Sequence, residues 1–324
     1  MKKASLLGLV GILFVLFGAS SAMGYNQSPN LNWGATNILD AIIPPPGLYL
    51  SSYVVGYSSD EFKDGDGDTF SGDNELNAIV YDPQLVWVSK NTLPGNFKYG
   101  FQVQLPFQGY DLESEIPTPG GSVSLETGDS VIGDLNFGPF IGRTEKLCED
   151  WLLHWFFEFD VFAPIGEYDK HAQINPSSNY WTLEPFLSMT LQMPKGFSLS
   201  TRQLFTYNFT NDEYIPFGVP GATETDLQAG AMWHCNFSFM KTLDFIDPNL
   251  RLGAVGYYGK QLEEDDVDDY PFLEEDSEEQ IFGIGPGLHW MHKGVIWSLK
   301  AYFESNAENR TEGSRVVLRI INRF

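Results

Sequence analysis

The sequence predicts an all-β protein: a transmembrane, antiparallel, up-and-down β-barrel of about 12 strands, with apolar residues facing lipid and polar residues facing the lumen. Three observations predict it. Segments of about ten residues alternate apolar and polar side chains with a period of two. The connections between them alternate long and short, as expected where long loops lie outside and tight turns lie in the periplasm. The chain ends on Phe324 after an alternating, β-branched run, SRVVLRIINRF.

The elements follow in chain order. MKKASLLGLVGILFVLFGASSA opens with Lys2 and Lys3, continues with an apolar run from Leu6 to Phe17 and ends in small residues at Ala22. That is the pattern of a secretory signal peptide over residues 1–22, cleaved near Ala22. A spanning helix would need about 20 apolar residues. Residues 23–46 then lead into the barrel, which occupies 47–324. In NILDAIIPPPGLYL (37–50) the prolines stop any helix at Pro44 and cannot enter a central strand. Residues 33–43 are therefore expected as a short apolar turn or helix, either a plug inside the barrel or a periplasmic lead-in, with partial insertion preferred.

Twelve segments carry the strand pattern: 47–58, 74–88, 96–108, 130–142, 151–163, 179–192, 196–209, 224–237, 249–260, 279–291, 294–304 and 314–324. In FKYGFQVQLPF (97–107), Phe97, Tyr99, Phe101, Val103, Leu105 and Phe107 share one face, against Lys98, Gly100, Gln102, Gln104 and Pro106. WLLHWFFEFDVF (151–162) repeats the scheme, with Glu158 and Asp160 on its polar face. A soluble sandwich would not need aromatics at strand ends, whereas a barrel in lipid gathers them at the interfaces. In the last segment Arg315, Arg319 and Arg323 stand four apart, a spacing that fits helix and strand alike. Its β-branched residues favour a strand. Closing the barrel pairs the first strand with the last, which sets the arginine row near Tyr49, Ser51 and Tyr53.

The polar faces supply the candidate pore lining: Asp82, Lys98, Asp134, His154, Glu158, Asp160, Glu184, Arg202, Asp226, Arg251, His289, Lys300, Glu304, Arg315, Arg319 and Arg323. Such a mixture either binds or selects a solute or forms a structural network of ion pairs. Phe140, Phe156, Phe162, Phe186 and Tyr257 fall on the same inner faces and offer apolar surface.

The net charge of −24 excludes nucleic acid as a partner, because its phosphates need a basic face. FKDGDGDTFSGDNE (62–75) puts Asp64, Asp66, Asp68 and Glu75 at the first, third, fifth and twelfth places of a calcium loop. Thr69 stands where that loop needs Gly, so calcium in this outer loop competes with a solvated acidic loop; no other cofactor is expected. Residues 263–279 hold eleven carboxylates in 17 positions, a solvated run or a cation-attracting mouth. Cys148, in a short turn, and Cys235, at the end of the eighth strand, are both placed on the periplasmic side, with their pairing left open. The five histidines are dispersed, and neither HExxH nor GxSxG occurs. An enzyme is not expected; an outer-membrane hydrolase and a structural or adhesive barrel without flux are the rival readings.

Eight motifs carry a family resemblance: AIIPPPGLYL (41–50), YDPQLVWVSK (81–90), GDLNFGPFIG (133–142), VFAPIGEY (161–168), NYWTLEPF (179–186), FTYNFTND (205–212), GIGPGLHW (283–290) and FESNAENRTEGS (303–314). On these the chain resembles the outer-membrane family named for the meta-pathway of phenol degradation. The resemblance implies a bacterial outer-membrane barrel that passes small hydrophobic or aromatic compounds passively, by analogy with fatty-acid and toluene channels. It implies outer-membrane lipid, lipopolysaccharide and the assembly machinery as partners. The terminal Phe324 matches the signal read by that machinery, while Asn322 departs from it. No binding residues are carried over.

Overall fold

The computed structural model describes residues 30–118, 121–124, 131–172, 174–216, 219 and 221–324. The segment expected as a signal peptide lies outside the described residues. Seventeen strands run in order: β1 (Gly47–Phe62), β2 (Asn74–Val88), β3 (Lys98–Gln104), β4 (Phe107–Thr118), β5 (Gly121–Ser124), β6 (Leu135–Cys148), β7 (Trp151–Ala163), β8 (Thr182–Met193), β9 (Phe197–Asn208), β10 (Asn211–Tyr214), β11 (Thr225–Gln228), β12 (Met232–Thr242), β13 (Leu250–Gln261), β14 (Asp266–Val267), β15 (Gln280–His292), β16 (Val295–Glu308) and β17 (Thr311–Arg323). There is no α-helix among the described residues.

Each barrel strand pairs antiparallel with its neighbours, and β1 pairs with both β2 and β17, so the sheet closes. β3 and β4 together fill one position, because both pair with β2 on either side of a break at Leu105–Pro106. The result is a closed barrel of 12 strands. β10, β11 and β14 form a separate three-stranded sheet from the long loops, packed on Leu227, Val267 and Leu273.

The closure seam answers the question posed by the arginine row. Tyr49, Tyr53 and Tyr57 of β1 stand directly across from Arg323, Arg319 and Arg315 of β17. Each guanidinium lies over its partner's ring, at 5.9, 5.0 and 5.1 Å respectively. Two rows with a spacing of four thus interlock on the inner face. Cation–π pairs replace a run of like charges with cross-strand attraction.

The opposite faces of the strands expose Tyr81, Trp87, Phe101, Trp181, Tyr207, Phe239 and Trp297. Aromatic contacts cluster toward the two ends, with Trp87–Tyr99 at 6.1 Å and Trp290–His292 at 4.5 Å near the short turns and Trp233–Tyr258 at 5.8 Å near the long loops. This is the paired girdle of a barrel in lipid.

Three expectations are corrected. The strand bounds 294–304 and 314–324 leave residues 305–313 as a connection, yet β16 runs on to Glu308 and β17 begins at Thr311, with only Asn309–Arg310 between them. Side chains brace this hairpin: Glu312 Oε2 accepts from Ala307 N, and Glu304 Oε2 accepts from Gly313 N. The segment 224–237 is two elements, β11 and the start of β12. Between them Gly230 N donates to Asp265 Oδ1 at 2.9 Å instead of to a neighbouring strand. Cys235 therefore sits near the long-loop end of β12 and Cys148 at the short-turn end of β6, and both thiols are free.

Candidate functional site

Residues 30–46 run the length of the lumen. Asn30 donates to Asp134 Oδ2 and Ser178 Oγ at the long-loop end. Gly34 N donates to Asn236 Oδ1 at 3.0 Å, and Asn236 Nδ2 donates back to Asn32 O at 2.8 Å. Lys300 Nζ donates to the carbonyls of Gly34 and Ala35, and Tyr302 OH to that of Gly34. Asn37 is held by Tyr302 OH and by Ser238 Oγ. Lower down, Asp40 accepts a forked pair from Arg202, Nε at 2.7 Å and NH2 at 3.0 Å, and a third bond from Ser188 Oγ. Lys98 Nζ donates to Ile43 O, and Arg323 NH2 to Pro46 O at the short-turn mouth.

The segment has no regular structure, so its own amides and carbonyls need partners, and the barrel's polar inner face supplies them. Trp33 and Ile38 pack into a cluster with Val255, Tyr257, Ile281 and Tyr302. Gly34 has φ +68°, and a Cβ there would lie 2.6 Å from Tyr302 Cζ, so only glycine fits this approach.

A cavity of about 210 Å³ remains between this segment and the barrel wall, bounded mainly by β1, β2, β3, β4, β6 and β7. Val55, Tyr57, Leu76, Val80 and Phe162 form its apolar wall; Asp82, Gln84, Gln104, Asn136 and Asp160 form its polar wall.

The predicted residues fall into distinct groups. Asp82, Asp134, Asp160, Glu184, Arg202 and Arg315 line the cavity. Asp134 takes donors from Asn30, Ser177, Ser178 and Gly166. Glu184 Oε2 meets His234 Nε2 at 3.2 Å, and Glu304 accepts from Tyr57 and Tyr257. Glu158 is buried beside Asp160. Lys98, Lys300 and Arg323 bind the threaded segment, while Arg319 donates to Ser51 Oγ. His154 contacts Thr144 and Gln192, His289 contacts Ser298 Oγ at 3.0 Å, and Arg251 pairs in register with His289. No carboxylate bonds His289 or His154 among the described residues, so neither forms a nucleophile–base–carboxylate chain.

Asp226 is a correction. It is exposed in β11, in the small sheet outside the barrel, because the strand assigned to it breaks at Gly230. Asp64, Asp66, Asp68 and Glu75 do not converge: Asp64 Oδ1 accepts from the amides of Asp66 and Asp68, and Glu75 accepts from Asn77. Among the described residues no group of three or more His, Cys, Asp or Glu side chains is placed to hold a metal ion.

At the long-loop end, Glu279 and Arg310 pair at 3.0 Å, both buried, and Arg310 lies 4.7 Å over the Trp33 ring. Burial pushes the Asp265 carboxyl up to about 6 and the Glu279 carboxyl up to about 7, the latter against the pull of Arg310. Phe140, Phe156 and Phe186 form a T-shaped stack deeper in the lumen, and Arg202 lies 4.1 Å over Phe186.

The residues that sequence reasoning missed are the threaded segment's anchors: Asp40, Asn236, Ser188 and Tyr302. Asp40 carried a readable signal, a lone carboxylate in an otherwise apolar run, NILDAII. The others are inward positions of strands with nothing to mark them.

Among solved structures, the COG4313 outer membrane channel from Pseudomonas putida F1 matches with a TM-score of 0.71 at 15% identity, covering 91% of this chain and 100% of that one. The translocator domain of the autotransporter NalP from Neisseria meningitidis matches at a TM-score of 0.47 and 11% identity, covering 87% and 90%. The P. putida toluene transporter TodX matches at 0.41 and 10%, covering 87% and 91%. No curated protein matches. The family described as "Putative MetA-pathway of phenol degradation" matches residues 59–320, most of the chain, and the protein belongs to it.

Proposed function

We propose that this protein is a passive outer-membrane channel for small hydrophobic or aromatic compounds, lumen-plugged at rest by residues 30–46. The observation that carries the reading is the cavity of about 210 Å³ above the threaded segment, with an apolar wall of Val55, Tyr57, Leu76 and Val80. A dry cavity of about 150 Å³ accommodates benzene in another protein, so a one-ring solute fits the space. The likeness to an outer-membrane channel over 91% of the chain supports the same reading, as does family membership. The chain enters the outer membrane after cleavage near Ala22, with Phe324 presented to the assembly machinery. No catalytic step is part of this function.

The test is uptake of a neutral aromatic, benzyl alcohol, into proteoliposomes containing the folded protein. Flux above protein-free vesicles, with single-channel conductance remaining low, is the expected result. Large ohmic conductance, or no solute flux at all, would sink it.

A further inference from the structure

The barrel wall grips Asp40 by groups that would grip a free carboxylate in the same way. Asp40 Oδ2 accepts from Arg202 Nε at 2.7 Å and from Ser188 Oγ, and Asp40 Oδ1 accepts from Arg202 NH2 at 3.0 Å. Ser188 of β8 and Arg202 of β9 are cross-strand partners in register, so the sheet and not the segment sets the three donors. The guanidinium also lies over the rings of Phe186 and Phe156, at 4.1 and 5.7 Å. The residues after Asp40 fill an apolar slot beside it. Ala41 belongs to the buried cluster of Tyr49, Val88, Phe140, Phe156, Phe186 and Leu204, and Ile43 packs against that cluster.

The charges around the fork suit an anion. Arg319 and Lys300 act on Asp40 through space, in addition to Arg202. Glu158 and Asp160 act on Arg202, but neither is within 4.0 Å of it. The site therefore already holds one carboxylate in the presence of those two. Withdrawal of residues 30–46 would leave the Arg202 guanidinium among aromatic rings without its counter-charge, which is costly. The occupant that restores the balance is a second carboxylate, and the slot vacated by Ala41 and Ile43 requires that the rest of it be apolar. Arg202 also borders the cavity of about 210 Å³, so a solute in that space stands next to the fork.

We infer that Arg202 and Ser188 form a binding site for a small monocarboxylate with an aromatic or branched alkyl body, and that Asp40 occupies this site at rest as a built-in competitor. This rests on the reading of residues 30–46 as a plug that withdraws, and it deepens that reading by naming the ligand class that competes with the plug. Ligand and segment exclude one another at the fork. A ligand that binds only the released state shifts the lumen toward that state. The planar guanidinium matches a carboxylate with two parallel charge-assisted bonds. A neutral amide of the same shape presents one oxygen and one N–H₂ group, so a donor faces a donor and one bond is lost.

The experiment uses the full folded protein with benzoate, with benzamide as its neutral isostere, and with acetate, which has the head group without the body. Binding is measured by equilibrium dialysis at neutral pH, and benzyl alcohol flux into proteoliposomes is measured in parallel. Benzoate should bind at least about tenfold more tightly than either comparator, the equivalent of one charge-assisted bond or one buried ring. Asp40→Ala removes the competitor and should tighten benzoate binding by at least about tenfold, because apparent affinity scales with the fraction of open sites. Arg202→Leu removes the fork and should bring benzoate to within about threefold of benzamide. The opposite signs separate competition at one site from general attraction of anions to a basic lumen. Should one variant fail to fold, as judged by heat-modifiable migration, the other variant and the native ranking still decide. Equal binding of benzoate and benzamide, acetate as tight as benzoate, or benzoate binding unchanged in a folded variant overturns the inference. Benzyl alcohol flux alongside any of these overturns the inference alone. The expected ranking and shifts without benzyl alcohol flux uphold the site and overturn the channel reading.

Discussion

Removing the Asp40 carboxylate should unplug the barrel. Asp40 is the one charged side chain of the described lead-in, and its side chain is 2% exposed against 11% for Arg202. Asp40→Ala leaves the Arg202 guanidinium buried without its counter-charge, a change that costs about 3–5 kcal/mol. Arg202 keeps its stacking at 4.1 Å on Phe186, which favours the lower end of that range. That free energy is lost only when residues 30–46 are docked, so it shifts the docked–released equilibrium directly. At 1.4 kcal/mol per decade, the released fraction rises roughly a hundredfold to a few thousandfold. Planar-bilayer recording reads this as frequent large openings where the native protein is quiet. Asp40→Leu combined with Arg202→Leu removes both charges and should restore quiet traces, because an apolar pair replaces a buried ion pair at little cost. A folded Asp40→Ala protein with native conductance would refute the reasoning. So would a double variant as leaky as the single one.

Three further perturbations test other parts of the structure. Tyr53→Leu removes the Arg319 ring contact at 5.0 Å and the bond to Gln84 Oε1, so the seam should weaken by about 0.5–2 kcal/mol and the heat-modifiable transition should fall, while Tyr53→Phe keeps most of the effect. Gly34→Ala puts a Cβ against Tyr302 and holds a non-glycine residue at φ +68°, which should raise opening frequency through about 1–2 kcal/mol of strain. The raised Asp265 and Glu279 carboxyls hold protons in the folded state that the unfolded chain has released above about pH 4. Stability from these groups therefore declines as pH rises from about 4 through about 7. The thermal midpoint should be higher at pH 5 than at pH 8, and Glu279→Gln should flatten that difference; an unchanged slope in the variant would rule out Glu279 as a source.

The strands were legible because the two-residue period survives wherever one face meets lipid. WLLHWFFEFDVF and FKYGFQVQLPF declare their faces unaided. Elements outside lipid lose that signal. β11 and β12 read as one strand because Ala229–Gly230–Ala231 has no polarity to mark a break, and the amide of Gly230 is taken by Asp265, distant in sequence. Residues 305–313 read as a connection because their polar side chains look solvated, yet Glu304 and Glu312 bond backbone amides and extend the hairpin. The partners of the inward residues were not legible, since no periodicity couples residue 40 to residue 202.

The threaded segment changes what the lumen charges mean. A row of arginines and lysines along a barrel wall suggests ion selectivity when the lumen is pictured as empty. Here Lys98, Lys300 and Arg323 donate to carbonyls of residues 43, 34–35 and 46, and Arg202 forks onto Asp40. Those cations satisfy an irregular strand of backbone that has no ladder of its own. Their substitution should therefore act first on occupancy of the lumen and only secondarily on the sign of the ions that pass. Lys300→Met is the sharpest case, since its Nζ is buried against two carbonyls with no carboxylate in contact. If that variant altered ion preference while leaving opening frequency native, the wall would be a selectivity lining and not a dock.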